Sequence, residues 1–266
     1  MDNRPIDVFD SGLGGLTSVQ ELHRQLPEER VIYLGDTART PYGSKSPETI
    51  IKFATQNVEY LVARNTKMII LACNTVTAIA LDALRKRYPA IPIIGVIEPT
   101  VKKVVSSGCK RVGVIATKAT IGSDVYGREL RTASPDIEVY CQACPAIVPL
   151  IEDGLTDTEI MRLTVSYYMD DFVKNGGFDD LILGCTHYPL VAKHIRSLYP
   201  NLHMYSSSAE VIREAARILR EKDMLASGTE FTDRYYASDM SDNFIAMTDR
   251  LFRETDFKIH LLKLEE

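Results

Sequence analysis

Two cysteines stand in matching settings. Met68-Ile-Ile-Leu-Ala-Cys73-Asn-Thr and Leu181-Ile-Leu-Gly-Cys185-Thr-His each run an apolar strand into a cysteine, then two polar residues, then a helix. A thiol at a strand end and a helix start lies near free N–H groups and the positive end of a helix dipole, which favour the thiolate. Making such a thiol half ionised at pH 7 needs a drop of about 1.5 units from 8.5, or about 2 kcal/mol. One strand-end cysteine alone reads as a small buried hydrophobe. Two in the same context suggest paired acid–base chemistry. Inverting a stereocentre requires a proton taken from one face and another delivered to the opposite face, and two groups of equal pKa can exchange those roles. A nucleophilic reading would pair Cys185 with His187 as its base, and it leaves Cys73 without a task.

Other motifs surround the pair. Phe9-Asp10-Ser11-Gly12-Leu13-Gly14-Gly15-Leu16 follows the first strand, and its glycines permit a tight turn and close backbone approach. The spacing lacks the third glycine of a dinucleotide fingerprint, and no phosphate-binding G-x-x-x-x-G-K-[ST] occurs, so a carboxylate suits the loop better than a phosphate. Asp10 or Ser11 at that junction either faces a ligand or caps the following helix. The loop Gly35–Gly43 offers the Tyr42 hydroxyl and the Gly43 amide, or is an ordinary turn built on Pro41. Asn74, Thr75, Thr117 and Thr186 add donors for a substrate carboxylate, and Glu152 could hydrogen-bond His187 or simply end a surface helix. Cys141-Gln-Ala-Cys144 has metal or redox spacing without a second pair at zinc-ribbon distance, and Cys109 looks structural.

The elements needed to position these groups are legible as alternating short apolar runs and amphipathic stretches, the pattern of a mostly parallel sheet covered by helices. Strands are expected at 6–9, 31–34, 68–72, 93–96, 112–115, 137–140, 180–183 and 203–205. Helices are expected near 14–26, 47–64, 75–88, 97–107, 122–133, 156–175, 187–199 and 207–222. Ser46-Pro47-Glu48 reads as a helix start, and Thr156-Asp-Thr-Glu159 as a capping box. Beyond residue 225 the pattern weakens to a strand at 230–237, a helix at 242–252 and an edge strand at 258–264. The repeated cysteine context implies an α/β fold of two pseudo-symmetric lobes with the site in the cleft between them. Residues 1–97 with 207–266 would form one lobe, and 98–206 the other.

Composition narrows the class. The 266 residues carry 45% apolar and 25% charged side chains and a formal charge of −5, which fits a globular protein and argues against a nucleic-acid footprint. No run of 18 apolar residues and no secretory h-region is present, so a cytoplasmic protein with no membrane partner is expected. Five cysteines without regular spacing argue against a disulfide framework.

Phe-Asp-Ser-Gly-Leu-Gly-Gly, Gly-Asp-Thr…Pro-Tyr-Gly, Ala-Cys-Asn-Thr and Leu-Gly-Cys-Thr-His-Tyr-Pro-Leu, in that order over most of the chain, together resemble the glutamate racemase family. The resemblance implies a two-domain α/β enzyme interconverting L- and D-glutamate for peptidoglycan, and hence cell-wall and cell-shape maintenance. It implies neither pyridoxal phosphate nor a metal, and a homodimer. Cys73 and Cys185 would then be catalytic, with Asp10, His187 and Glu152 supporting them. Ser11, Tyr42, Gly43, Asn74, Thr75, Thr117 and Thr186 would hold the amino acid. Aspartate or hydantoin racemases and a related decarboxylase stay open as relatives, as does a binding module that captures an amino acid without transforming it.

Overall fold

The structure, a computed structural model, describes residues 1–227, 232–251 and 258–263. Its strands are β1 (Ile6–Asp10), β2 (Val31–Gly35), β3 (Met68–Leu71), β4 (Ile93–Gly95), β5 (Arg111–Ala116), β6 (Glu138–Ala143), β7 (Asp180–Gly184), β8 (His203–Ser206), β9 (Arg234–Ala237) and β10 (Ile259–Leu261). The helices are α1 (Leu16–Gln25), α2 (Pro47–Val62), α3 (Asn74–Arg87), α4 (Ile97–Ser106), α5 (Lys118–Gly122), α6 (Val125–Ala133), α7 (Ile147–Glu152), α8 (Glu159–Gly176), α9 (Ala192–Leu198), α10 (Ser207–Glu221) and α11 (Asp242–Leu251).

The strands form two sheets, and every described pairing is parallel. The first runs β10-β9-β2-β1-β3-β4 and the second β6-β5-β7-β8. Counted within each sheet, β2-β1-β3-β4 and β6-β5-β7-β8 have the same order, second, first, third, fourth. This is the pseudo-symmetry that the repeated cysteine context implies. Both cysteines follow the third strand of their own sheet. Helices cover both faces, so β1, β2, β3 and β4 are buried end to end, which is why they read as unbroken apolar runs. The chain leaves the first sheet after β4 through α4 and comes back from β8 through α10, and these two helices pack on each other. Among the described residues no helix is long and apolar enough to cross a membrane.

Local differences from the sequence reading have physical causes. The expected capping box at Thr156 is displaced. Thr158 caps α8 by accepting from the Met161 N–H, while Thr156 is buried and its carbonyl accepts from His194. The helix expected at 122–133 starts only at Val125, because Asp124 adopts a left-handed conformation there, and a short helix that was not expected, α5, precedes it. Pro189 sits in a 3₁₀ turn over Tyr188–Val191, and the α-helix starts only at Ala192. Ser46 caps α2, with Pro47 following. Expected elements at 230–231, at residue 252 and at residue 264 fall outside the described residues.

One buried group in β1 sets a pH dependence on the fold. Asp7 is fully buried, neither carboxylate oxygen has a hydrogen-bond partner among the described residues, and burial pushes its carboxyl up to about 8. The folded state therefore holds a proton that the unfolded chain, near 3.8, has already lost. Folding stability therefore falls as pH rises from about 4, and the loss levels off above about 8. Asp7→Asn should remove this term. Urea unfolding midpoints of variant and parent should differ little at pH 4 and separate progressively up to pH 8, with the variant higher. A gap that does not widen with pH would show that Asp7 is ionised in the folded protein.

Candidate active site

The carboxyl ends of both sheets face one another, and the loops leaving them enclose a cavity of about 140 Å³. In open parallel sheets this is the end where ligands bind. Each sheet contributes three corresponding loops. Those after the first strands bring Ser11, and Thr117 with Lys118. Those after the second strands bring Thr40–Ser44, and Cys144, Pro145, Val148 and Pro149. Those after the third strands bring Cys73–Thr75, and Cys185–His187. Both thiols therefore reach one cavity from equivalent positions of two sheets.

Each thiol has its own partner. Cys73 precedes α3, its Sγ lies 3.3 Å from Ser11 Oγ, and the thiol is almost wholly buried. Burial pushes it up to about 12, the Asp10 carboxylate adds to that, and the Ser11 hydroxyl and the Val76 N–H oppose it. The sequence reading expected a depressed thiol from helix position alone. At Cys73 desolvation outweighs the N–H groups. Cys185 Sγ lies 3.8 Å from His187 Nδ1, and His187 Nε2 lies 3.2 Å from Glu152 Oε1. Burial works against the imidazolium, but hydrogen bonds to Cys185 and Glu152 prevail, so His187 sits well above its ordinary value. Glu152, at the end of α7, thus does bond His187.

Asp10 joins the two halves. It ends β1, is fully buried, accepts from the Gly12 N–H at 2.9 Å, and accepts from the Thr186 hydroxyl at 3.2 Å across the cleft. Burial raises its carboxyl, against the His187 charge and those N–H and hydroxyl donors. Glycines allow this approach. A Cβ on Gly14 would lie 2.4 Å from Thr186 Oγ1 and 2.6 Å from His187 Nδ1, and one on Gly43 would lie 2.7 Å from Thr117 Cβ. The glycine-rich loop therefore serves close contact between lobes, and α1 is preceded by Gly15 with no side-chain cap.

Some expected ligand groups are engaged elsewhere. Tyr42 lines the cavity, but its hydroxyl donates to the Asp36 carboxylate. The Asn74 amide donates to Ser207 at 3.1 Å and its oxygen accepts from the Tyr126 hydroxyl at 2.7 Å. Thr75 and Thr117 meet at 2.9 Å across the cleft, with Thr120 completing a hydroxyl cluster. Thr40 and Pro41 belong to the loop already singled out but were not named as site residues, and Ser44, Lys118, Pro145, Val148 and Pro149 were not named either. Only the matching loop positions of the two sheets would have pointed to them. Arg39, the cation of the Gly35–Gly43 loop, pairs with Asp36 and does not line the cavity. Cys141 is exposed and Cys144 buried, all five cysteines are free, and among the described residues no cluster of His, Cys, Asp or Glu could hold a metal.

The family profile of Asp/Glu/Hydantoin racemases matches residues 15–221. A glutamate racemase of Sulfurihydrogenibium sp. is 44% identical over 244 residues, covering 91% of this chain and 93% of that relative. One from Persephonella marina is 43% identical over 261 residues, 98% of this chain and 96% of the relative. Among solved structures, glutamate racemase from Francisella tularensis in complex with D-glutamate superposes with a TM-score of 0.94 at 37% identity, over 100% of this chain and 99% of that one.

The His187–Glu152 bond carries a direct test. Glu152→Gln removes a carboxylate that holds the imidazolium, so the His187 titration followed by NMR should move to lower pH. An unmoved titration would mean that Cys185 alone sustains the shift.

Proposed function

The chain belongs to the Asp/Glu/hydantoin racemase family and is an amino-acid racemase, an isomerase, and from that premise we propose that it interconverts L- and D-glutamate through two thiols, without an added cofactor. The observation that supports this reading best is the pair of cysteines lining one cavity from equivalent third-strand positions of two sheets. One thiol faces each side of a bound α-carbon. The base removes the α-proton, the opposite thiol delivers its own, and the pair is left with its roles exchanged.

The two sides are prepared differently. His187, held protonated by Cys185 and Glu152, places positive charge beside Cys185 when that sulfur carries negative charge. Cys73 rests protonated, ready to donate. In the reverse direction it becomes the base only when a substrate ammonium near Asp10 and Ser11 offsets the burial and the Asp10 charge. The developing carbanion is stabilised by closely placed donors that line the enclosed cavity: the hydroxyls of Thr75 and Thr117, the Asn74 N–H not taken by Ser207, and the Gly43 backbone. A cavity near 140 Å³ suits one small amino acid. D-Glutamate made this way would serve peptidoglycan synthesis, as the family resemblance implies.

Purified protein with L-glutamate in D₂O and no cofactor should lose optical rotation while deuterium enters the α-position. Retained rotation with an unexchanged α-proton would overturn the assignment, and the same assay on aspartate would show whether the substrate is the shorter acid. Cys73→Ala and Cys185→Ala should each reduce racemisation by about 10³-fold or more, the scale of a lost general acid or base. Gly14→Ala, which pushes on Thr186 and His187, should lower kcat by about 10²-fold with the fold retained. Circular dichroism checks the fold, and wild-type kcat in that variant would show that the lobe contact is loose.

A further inference from the structure

Lys118 is the single lysine or arginine among the described residues that line the cavity. It follows Thr117 at the end of β5, its side chain is exposed, and it has no hydrogen-bond or ion-pair partner among the described residues. The His187 imidazole lines the cavity as well, and the Asp10 and Glu152 carboxyls stand behind the wall. Whether or not Asp10 is ionised, these three sum to no net positive charge. An acidic amino acid brings two carboxylates and one ammonium, so it enters with a net negative charge. The neutral hydroxyls and amides of the walls can accept one carboxylate by hydrogen bonding. They do not balance the second.

We propose that Lys118 is the specificity-determining cation of this site, pairing at the cavity mouth with the second carboxylate of an acidic amino acid. The inference rests on the racemase reading for its substrate and on the cavity lining for its residue. Arg39 cannot take this part, because its guanidinium is held by Asp36 and Gln56. A lone ammonium on a flexible stem suits the task. It draws an anion toward the mouth at long range and pairs with it at short range, and both effects weaken with salt. Since the pairing lies away from the α-carbon, it strengthens binding of substrate and transition state alike, which shows in KM and not in kcat.

The test is steady-state racemisation by the parent, Lys118→Met and Lys118→Arg, at low and moderate ionic strength. Calorimetric binding of D-glutamate reads the same contrast without turnover. Lys118→Met should raise KM for both enantiomers about tenfold with kcat within about twofold, the signature of lost uniform binding. Its kcat/KM should lose the salt dependence seen in the parent, and Lys118→Arg should restore both. An active parent whose KM and salt dependence survive Lys118→Met overturns the role of Lys118 and leaves the racemase reading intact. A parent that binds D-glutamate through Lys118 without racemising it overturns the racemase reading and keeps the cation. A parent that neither binds nor turns over glutamate overturns both.

Discussion

Everything at this site depends on how closely two separate sheets approach at their carboxyl ends. Gly14 on one side lies so near Thr186 and His187 on the other that a single methyl group would collide with both, and Gly43 stands in the same relation to Thr117. Through that gap Thr186 donates to Asp10, and Thr75 meets Thr117. Protein interiors pack too tightly to absorb such overlaps cheaply. Glycine at these positions is therefore a condition for the cavity to exist with both thiols on its wall.

The same closeness creates the electrostatic character of the cavity. Groups that water would keep ordinary are displaced in opposite senses by what replaces the water. Cys73 loses hydration and gains an anionic neighbour, so its proton is held tightly. His187 loses hydration as well, but a thiol on one ring nitrogen and a carboxylate beyond the other over-compensate. The two sheets share a strand order, yet their third-strand thiols do not share an environment. A serine stands beside one and a histidine beside the other.

The Asn74 amide, which would serve a carboxylate, also holds the lobes to each other. Its oxygen accepts from Tyr126 of the other lobe, while its N–H donates to Ser207 at the start of α10 in its own. Tyr42 is fixed by Asp36, which also receives Arg39, Asn57 and Ser238. Several side chains thus reach the cavity only because a buried polar partner satisfies them elsewhere. Separating binding from positioning at Asn74 or Tyr42 therefore requires watching lobe packing as well as affinity.

The amino-acid sequence alone determined the alternation of strands and helices, the strand ends at which Asp10, Cys73 and Cys185 stand, and the matching contexts of the two cysteines. Buried parallel strands must be apolar runs and the polar residues that follow them must leave the sheet, so both features are local. Helix boundaries at Thr158, Asp124 and Pro189 were less legible, because several residues there can cap or break a helix and neighbouring packing chooses among them. Only the tertiary structure decided that both thiols share one cavity, that Glu152 reaches His187, that the Tyr42 hydroxyl turns to Asp36, and that Lys118 stands at the rim. It also reversed the expectation for the Cys73 thiol. The physical reason is the same in each case. These properties belong to contacts between segments far apart in the chain and to the water those contacts exclude, and neither distance nor desolvation is written in local residue order.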